Sequence, residues 1–240
     1  MNKLIGLFIL CVIFSCEPKP VKKESNTSNS SVSDSFVING RFDNYFSEYV
    51  YLNKIMLSSL KKLDSAKITD NSFTFSGAVS HPERFALTFD NSSAMVVFII
   101  ENIDFQIELD ARNPSEPIIT NSPLNDELNH YKNHSKEIFR EIDKLYPRFQ
   151  KARLENDVKT LDEIGMAMQE IENRFRNYSY NYVATNPKSY VSAMILRDLI
   201  QSDKADMTRI GELFNQLSDE IKEIPDAQLV AIELELAKKG

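Results

Sequence analysis

KLDSAKITDNSFTFSG, residues 62–77, decides how the first half of the chain folds. Its first part alternates through Ala66 and Ile68 and its second through Phe73 and Phe75, the period of two that a half-buried strand requires. Thr69-Asp70-Asn71 between them is turn-prone. The expectation is one strand that opens at Asp64 and Ser65 and pairs across that turn with the strand Phe73–Gly77. A serine beside an acid also raises the question of a nucleophile, which needs a base within reach and donors for an oxyanion. The only histidines are His81, His130 and His134, and neither a Gly-x-Ser-x-Gly elbow nor a Ser-x-x-Lys accompanies Ser65. The strand reading prevails, and Asp64 and Ser65 are not assigned to catalysis.

Outward from this stretch the same period runs from Phe36 to Thr120. Phe36, Ile38 and Phe42 alternate with polar residues, with Gly40 read as a bend; EYVYLNKI, RFALTF, MVVFII and DFQIEL follow, separated by turn-prone segments. About seven short antiparallel strands are expected, closing as a sandwich or a partly open barrel. Met95–Ile100 is continuously apolar and should be the most buried strand.

Beyond Pro123 the period becomes helical. Leu124, Leu128, Tyr131, Ser135, Ile138, Ile142, Leu145 and Phe149 form one stripe; Val158, Leu161, Ile164, Met168, Ile171, Phe175, Tyr178 and Tyr182 form another. With Asp157 as N-cap between them, they predict a long antiparallel helical hairpin, which Pro147 should kink or end. A third helix should start with Asn186 as cap and Pro187 in first position. A fourth should run from Met207 through Ile221, and a fifth from Pro225 to about Ala237. The fold class is α+β: a β domain over 36–120 and an α-helical domain over 121–240.

The N-terminus reads as a targeting segment. Lys3 precedes an apolar run from Leu4 to Phe14, well short of the roughly 20 residues that span a bilayer. Ile13-Phe14-Ser15-Cys16 resembles a bacterial lipobox, which implies a signal peptide over 1–15 and a lipidated Cys16. Residues 17–35 are polar and lack aromatics, the composition of a flexible tether after the lipidated cysteine. The expected location is the cell envelope, lipid-anchored to a bacterial membrane and facing the periplasm or the cell surface. Cys11 and Cys16 are the only cysteines, so no disulfide and no thiol nucleophile is expected in the globular part. With 28 Lys and Arg against 35 Asp and Glu, net charge −7, and no extended basic block, nucleic acid is not an expected partner.

Other chemistry is sparse. His130 and His134, four apart on one helix face, are weak candidates for a metal, because a His-Glu-x-x-His signature is absent and Tyr131 stands where a general base would. Six glycines form no phosphate-cradling loop, and no cofactor is expected. Five of the nine tyrosines fall between Tyr146 and Tyr190, where helix packing is the commoner use and a glycan-binding groove the alternative.

KLDSAKITDNSFTFSGAVSHPERFAL, FIIENIDFQIEL and ITNSPLNDELNHY together resemble a domain of unknown function common in Bacteroidetes envelope lipoproteins. The features carrying it are Asp64-Ser65-Ala66, Phe73-x-Phe75-x-Gly77, Pro82 and Glu101, and NPKSYVSAMIL is similar to the family's helical part. In that family the β domain and helical segment precede a thioredoxin-like domain bearing the reactive cysteines. This chain carries no such cysteines, so no catalytic residue transfers. The resemblance implies a non-enzymatic interaction or ligand-binding module; the alternative is the accessory N-terminal half of a thiol-disulfide oxidoreductase whose thioredoxin-like domain is missing or encoded separately. An envelope thioredoxin-like protein is thereby an expected partner, while a small-molecule or glycan ligand stays unspecified. Asp64-Ser65-Ala66 also resembles a short acceptor motif for serine O-glycosylation, which would fall on Ser65.

Overall fold

A computed structural model describes residues 34–44, 47–56, 59–90 and 92–239; Cys16 and the segment read as signal and tether lie outside them. Eight strands come first: β1 Phe36–Asp43, β2 Tyr49–Ile55, β3 Leu60–Lys67, β4 Ser72–Gly77, β5 Glu83–Phe89, β6 Ser92–Ile100, β7 Asp104–Asp110 and β8 Ile118–Thr120. Helices α1 Pro123–Glu155, α2 Val158–Thr185, α3 Tyr190–Ile200, α4 Met207–Gln216, α5 Asp219–Lys222 and α6 Pro225–Ala237 follow. The α+β order expected from the sequence is the one observed.

The strands form two open four-stranded sheets, β4-β1-β7-β8 and β3-β2-β5-β6. Their inner faces share one core, with Phe42, Phe75, Phe98 and Phe105 fully buried in it, so the architecture is a sandwich and not a closed barrel. One pair departs from the antiparallel pattern: β1 runs parallel to β7, Val37 opposite Asp104 through Asp43 opposite Asp110. Parallel neighbours need a long connection, and here β2 to β6 supply it, with β2, β3, β5 and β6 building the second sheet and β4 returning to pair with β1.

Glycines set the register of β1 and β4. Gly40 lies opposite Phe73 and Gly77 opposite Phe36. A Cβ on Gly40 would come within 1.9 Å of Phe73 Cζ, so Gly40 is mid-strand and makes room for a ring, rather than forming the expected bend. Asp70 and Asn71 both adopt positive φ, 51° and 59°, in a two-residue turn closed by reciprocal Thr69–Ser72 backbone bonds. The expected pairing across that turn stops there. β3 pairs with β2, Tyr51 opposite Ser65, while β4 crosses to β1 in the other sheet. Placing Phe73 and Phe75 over Gly40 and Ile38 requires that crossing, and it leaves Asp64 and Ser65 in the middle of β3.

The second sheet is covered on both faces at β5 and the C-terminal half of β6. In β5 Arg84, Phe85, Ala86 and Leu87 are all buried, and in β6 Ile99 joins the helical core while Phe98 and Ile100 join the sandwich core. Continuous apolar runs in β5 and β6 express this double burial. The exception in the run expected to be most buried is Met95, which is exposed.

Among the helices, Asp157 caps α2 as expected, accepting from Thr160 N at 3.1 Å. Pro147 neither ends nor interrupts the assignment of α1, whose 33 residues span about 50 Å. Pro147 is exposed, so the carbonyl one turn earlier that loses its partner can bond to water. Asn186 ends α2 instead of starting α3, its Nδ2 donating to Tyr182 O, and Ser189 caps α3. The single fourth helix expected is two, because buried Leu217 adopts an extended backbone and Ser218 N donates to Pro187 O.

Two buried polar devices join the sandwich to the helices. Asn125 in the first turn of α1 lies against the free edge of β6 like a short strand, accepting from Ile99 N (2.9 Å) and donating to Ile99 O (2.7 Å). Arg84 of β5 donates through Nε and Nη2 to Asp226 of α6 (3.0 and 3.3 Å) and through Nη1 to Asp198 of α3 (2.8 Å). Arg197 adds a bond to Asp226 (2.5 Å) and one to Met56 O (2.9 Å).

Two stability effects follow, both read by denaturant unfolding. Asp226→Asn leaves two buried guanidinium groups facing a neutral amide and should cost about 3–5 kcal/mol. Glycine-to-alanine changes should differ in sign: Gly40→Ala destabilises by about 1–3 kcal/mol through overlap with Phe73, while Gly165→Ala, whose Cβ meets nothing within 4 Å, gains about 1 kcal/mol of helix propensity.

Candidate functional site

The residues singled out from sequence fall in separate places. Ser65 is exposed on β3, its amide donating to its own neighbour Asp64 Oδ1 at 2.7 Å. No histidine hydrogen-bonds Ser65, and Asp64 is occupied with that backbone amide. His130 and His134 are exposed on α1; His134 Nδ1 stands 3.9 Å from Glu137, and its ring packs at 4.3 Å on Tyr178. Among the described residues no group of three His, Cys, Asp or Glu side chains is gathered for a metal. Nor is any helix among them long and apolar enough to cross a membrane.

The structure does bring together the tyrosines. Tyr131 on α1 stacks on Tyr178 of α2 (5.3 Å, 12°) and meets Tyr182 edge-on (5.2 Å). Heptad-like stripes on two antiparallel helices produce this, since residues three and four apart face the same seam. Beside the rings runs a groove of 510 Å³ lined by Glu127, His130, Tyr178, Asn181, Tyr182, Thr185 and Asn186. Glu127 Oε1 is fixed by the Tyr182 and Ser189 hydroxyls, each donating at 2.6 Å.

These surroundings hold the phenols neutral. Burial pushes Tyr131 up to about 12, against a smaller opposing effect of its bond with Ser179. Burial, then the bond to the Glu127 carboxylate, raises Tyr182 further. Burial also raises Tyr178. Glu127 thus acts as an acceptor held by two hydroxyls. The Tyr178 hydroxyl, the Asn181 side-chain amide, the His130 ring, Glu127 Oε2 and Asn186 Oδ1 make no hydrogen bond to other described residues, and their residues line the groove. Such a wall of mixed donors and acceptors over packed rings suits recognition of a polar ligand.

A second cavity, 370 Å³, lies beside the Arg84–Asp226–Arg197 cluster and is lined by Lys54, Met56, Glu83, Arg197, Gln228 and Leu229 among others. Its charges are spoken for: Lys54 pairs with Glu83 at 2.7 Å, and Arg197 with Asp226. Burial lowers the Arg84 pKa, but Asp198 and Asp226 outweigh it and hold the guanidinium above its ordinary value. Tyr190, buried nearby with its hydroxyl unpartnered, is raised by burial and by Asp226. This cluster fastens layers together.

Sequence reading missed Arg84 and Asp226, which lie 142 positions apart and carry no local motif. Asn186 was visible only as a helix cap, and Glu127 carries no motif of its own. Asn181, four before Thr185 on the same face, was within reach of the periodicity.

Comparison with known families places a match on the β domain. Residues 36–128 match the family described as Domain of unknown function (DUF4369). The match spans the whole sandwich and the start of α1, ending just after the turn in which Asn125 closes the edge of β6. No curated protein sequence matches the chain.

Raised phenol pKa values carry a sign. Tyr131 and Tyr182 stay protonated in the fold above pH 10, where the unfolded chain ionises, so the native state binds more protons and stability falls as pH rises. Their contribution is intact below pH 10 and declines between about 10 and 12. Phenolate absorbance should show these rings titrating together with unfolding, above the ordinary phenol range.

Proposed function

We propose that the protein is a lipid-anchored envelope lipoprotein that works by binding, not by catalysis, and that its ligand is a polyhydroxylated, sugar-like molecule held in the α1–α2 groove. Anchoring through Cys16, with the polar segment after it as tether, rests on the lipobox resemblance. The groove carries the ligand reading. Its lining residues bring both donors and acceptors beside Tyr178 and Tyr182, and a ring bearing several hydroxyls offers both in return.

A second reading keeps the partner suggested by the resemblance: the chain as an accessory to a Bacteroidetes thioredoxin-like oxidoreductase, supplied by another polypeptide. What favours it is the β-then-helix order. Co-purification of a Cys-x-x-Cys protein from membranes would select this reading over the first.

The deciding experiment is binding of immobilised glycans by the membrane-extracted protein. Tyr178→Ala and Asn181→Ala should each weaken binding at least about tenfold with the melting temperature of Asn181→Ala unchanged, because Asn181 is exposed and its side chain bonds no other described residue. No binding to any glycan, or binding indifferent to both changes, sinks the ligand reading. Intact mass of the same preparation reads the lipid on Cys16 and any glycan on Ser65.

A further inference from the structure

A sheet edge exposes unpaired backbone groups, and folded proteins block such edges in recognisable ways. Four edges exist in this sandwich, and three are blocked. On β6, Asn125 occupies both backbone groups of Ile99 and Lys132 Nζ donates to Val97 O at 3.0 Å. β8 is only three residues long. β3 is irregular, with a register shift opposite Leu52 and Asn53; it carries Lys61, Lys62 and Lys67, and Asp64 caps the Ser65 amide.

β4 has none of these devices. It pairs regularly with β1 over six residues, contains neither charge nor proline, and points small exposed Ser72, Thr74 and Ser76 outward above buried Phe73 and Phe75. Backbone groups along a strand point alternately to its two sides; with Asn71 O accepting from Phe42 N on the β1 side, the outward ones on β4 are those of Ser72, Thr74 and Ser76, and Ser72 is engaged by Thr69. Among the described residues nothing bonds the outward backbone groups of Thr74 and Ser76, which are therefore open.

We infer that this edge pairs with β4 of a second copy, antiparallel about a two-fold axis through Phe75, joining two four-stranded sheets into one of eight. Opposed residues in an antiparallel pair lie on the same face, so a two-fold pairing must centre on a residue and not between residues. Phe75 is the middle of the open stretch. That register sets Thr74 opposite the partner's Ser76 and Phe75 opposite its own equivalent, with Asp70 and His81 kept away from like charges. A strand that meets itself must carry no charge it cannot oppose, and β4 carries none. Its short hydroxyl side chains lack the reach to select a foreign strand, yet suit Thr–Ser pairing across a symmetric interface.

Membrane-extracted protein in detergent should show a monomer–dimer equilibrium in analytical ultracentrifugation. Thr74→Lys should raise the dimer dissociation constant at least about tenfold with an unchanged melting temperature, since Thr74 is exposed. Register is read by oxidation: a mixture of Thr74→Cys and Ser76→Cys proteins should cross-link faster than either alone, with the unsubstituted chain as control for Cys16. A chain monomeric at every concentration, a dimer indifferent to Thr74→Lys, equal cross-linking in all mixtures, or a Ser76→Cys adduct with a different protein would each overturn the inference.

Discussion

Arg84 is the constraint around which the layers are arranged. It stands on β5 at a position that faces away from the sandwich core, where an exposed sheet would present an ordinary solvated side chain. Here α3 and α6 cover that face, and a guanidinium enclosed without an anion would cost several kcal/mol. Asp226 answers it from the first turn of α6 through a two-point fork, whose geometry fixes direction as well as distance. Arg197 shares the same carboxylate and reaches back to the end of β2 through Met56 O. A slip of either helix along the sheet would leave several polar groups unpaired at once. The cluster therefore specifies how the helices sit on the sheet more than it adds to their attraction.

Apolar burial supplies that attraction. Ile99 enters the helical core from β6 while its neighbours Phe98 and Ile100 remain in the sandwich, so one strand belongs to two cores. Asn125 acts at the same residue: its amide satisfies the Ile99 backbone and its own first-turn position is fixed by Ser122, whose hydroxyl also donates to Glu101. Strand edge, helix start and core contact are solved within one turn of chain. That explains why the matched domain runs past the last strand into α1: the sandwich is finished by the helix that seals it.

How much of this was legible depends on how local the cause is. Alternation in β4 and β7, the stripes of α1 and α2, and the cap at Asp157 are written within a turn or two of sequence, and they were readable. The partners of β3 and β4 were not, because period and turn chemistry describe a hairpin without stating whether its arms share a sheet. Gly40 and Phe73 held the answer in the form of steric complementarity between residues 33 apart. Pro147 does not end the helix, for a related reason: its cost depends on which way its face points, which the stripe suggests but the residue alone does not. At the groove, the tyrosines were visible as a pattern, whereas Glu127, Asn181 and Asn186 acquire meaning only once two helices run antiparallel. Arg84 and Asp226 lie beyond any local rule.

The sandwich is in consequence polarised. Its β6 and β8 side runs into α1 and is sealed by Asn125 and Lys132; burial, foremost, lowers the pKa of Lys132, whose ammonium is tied to Val97 O. Its β3 and β4 side receives no such cover from the described residues, and there the two edges differ in kind. β3 carries lysines and an irregular register, features that discourage pairing, while β4 beside it is regular and neutral. Had exposure alone shaped that side, both strands would need the same protection, because an unguarded edge threatens solubility wherever it lies. Protection on one and its omission on the other, across a two-residue turn, makes an open β4 a specific feature of the fold and not a general slackness of its surface.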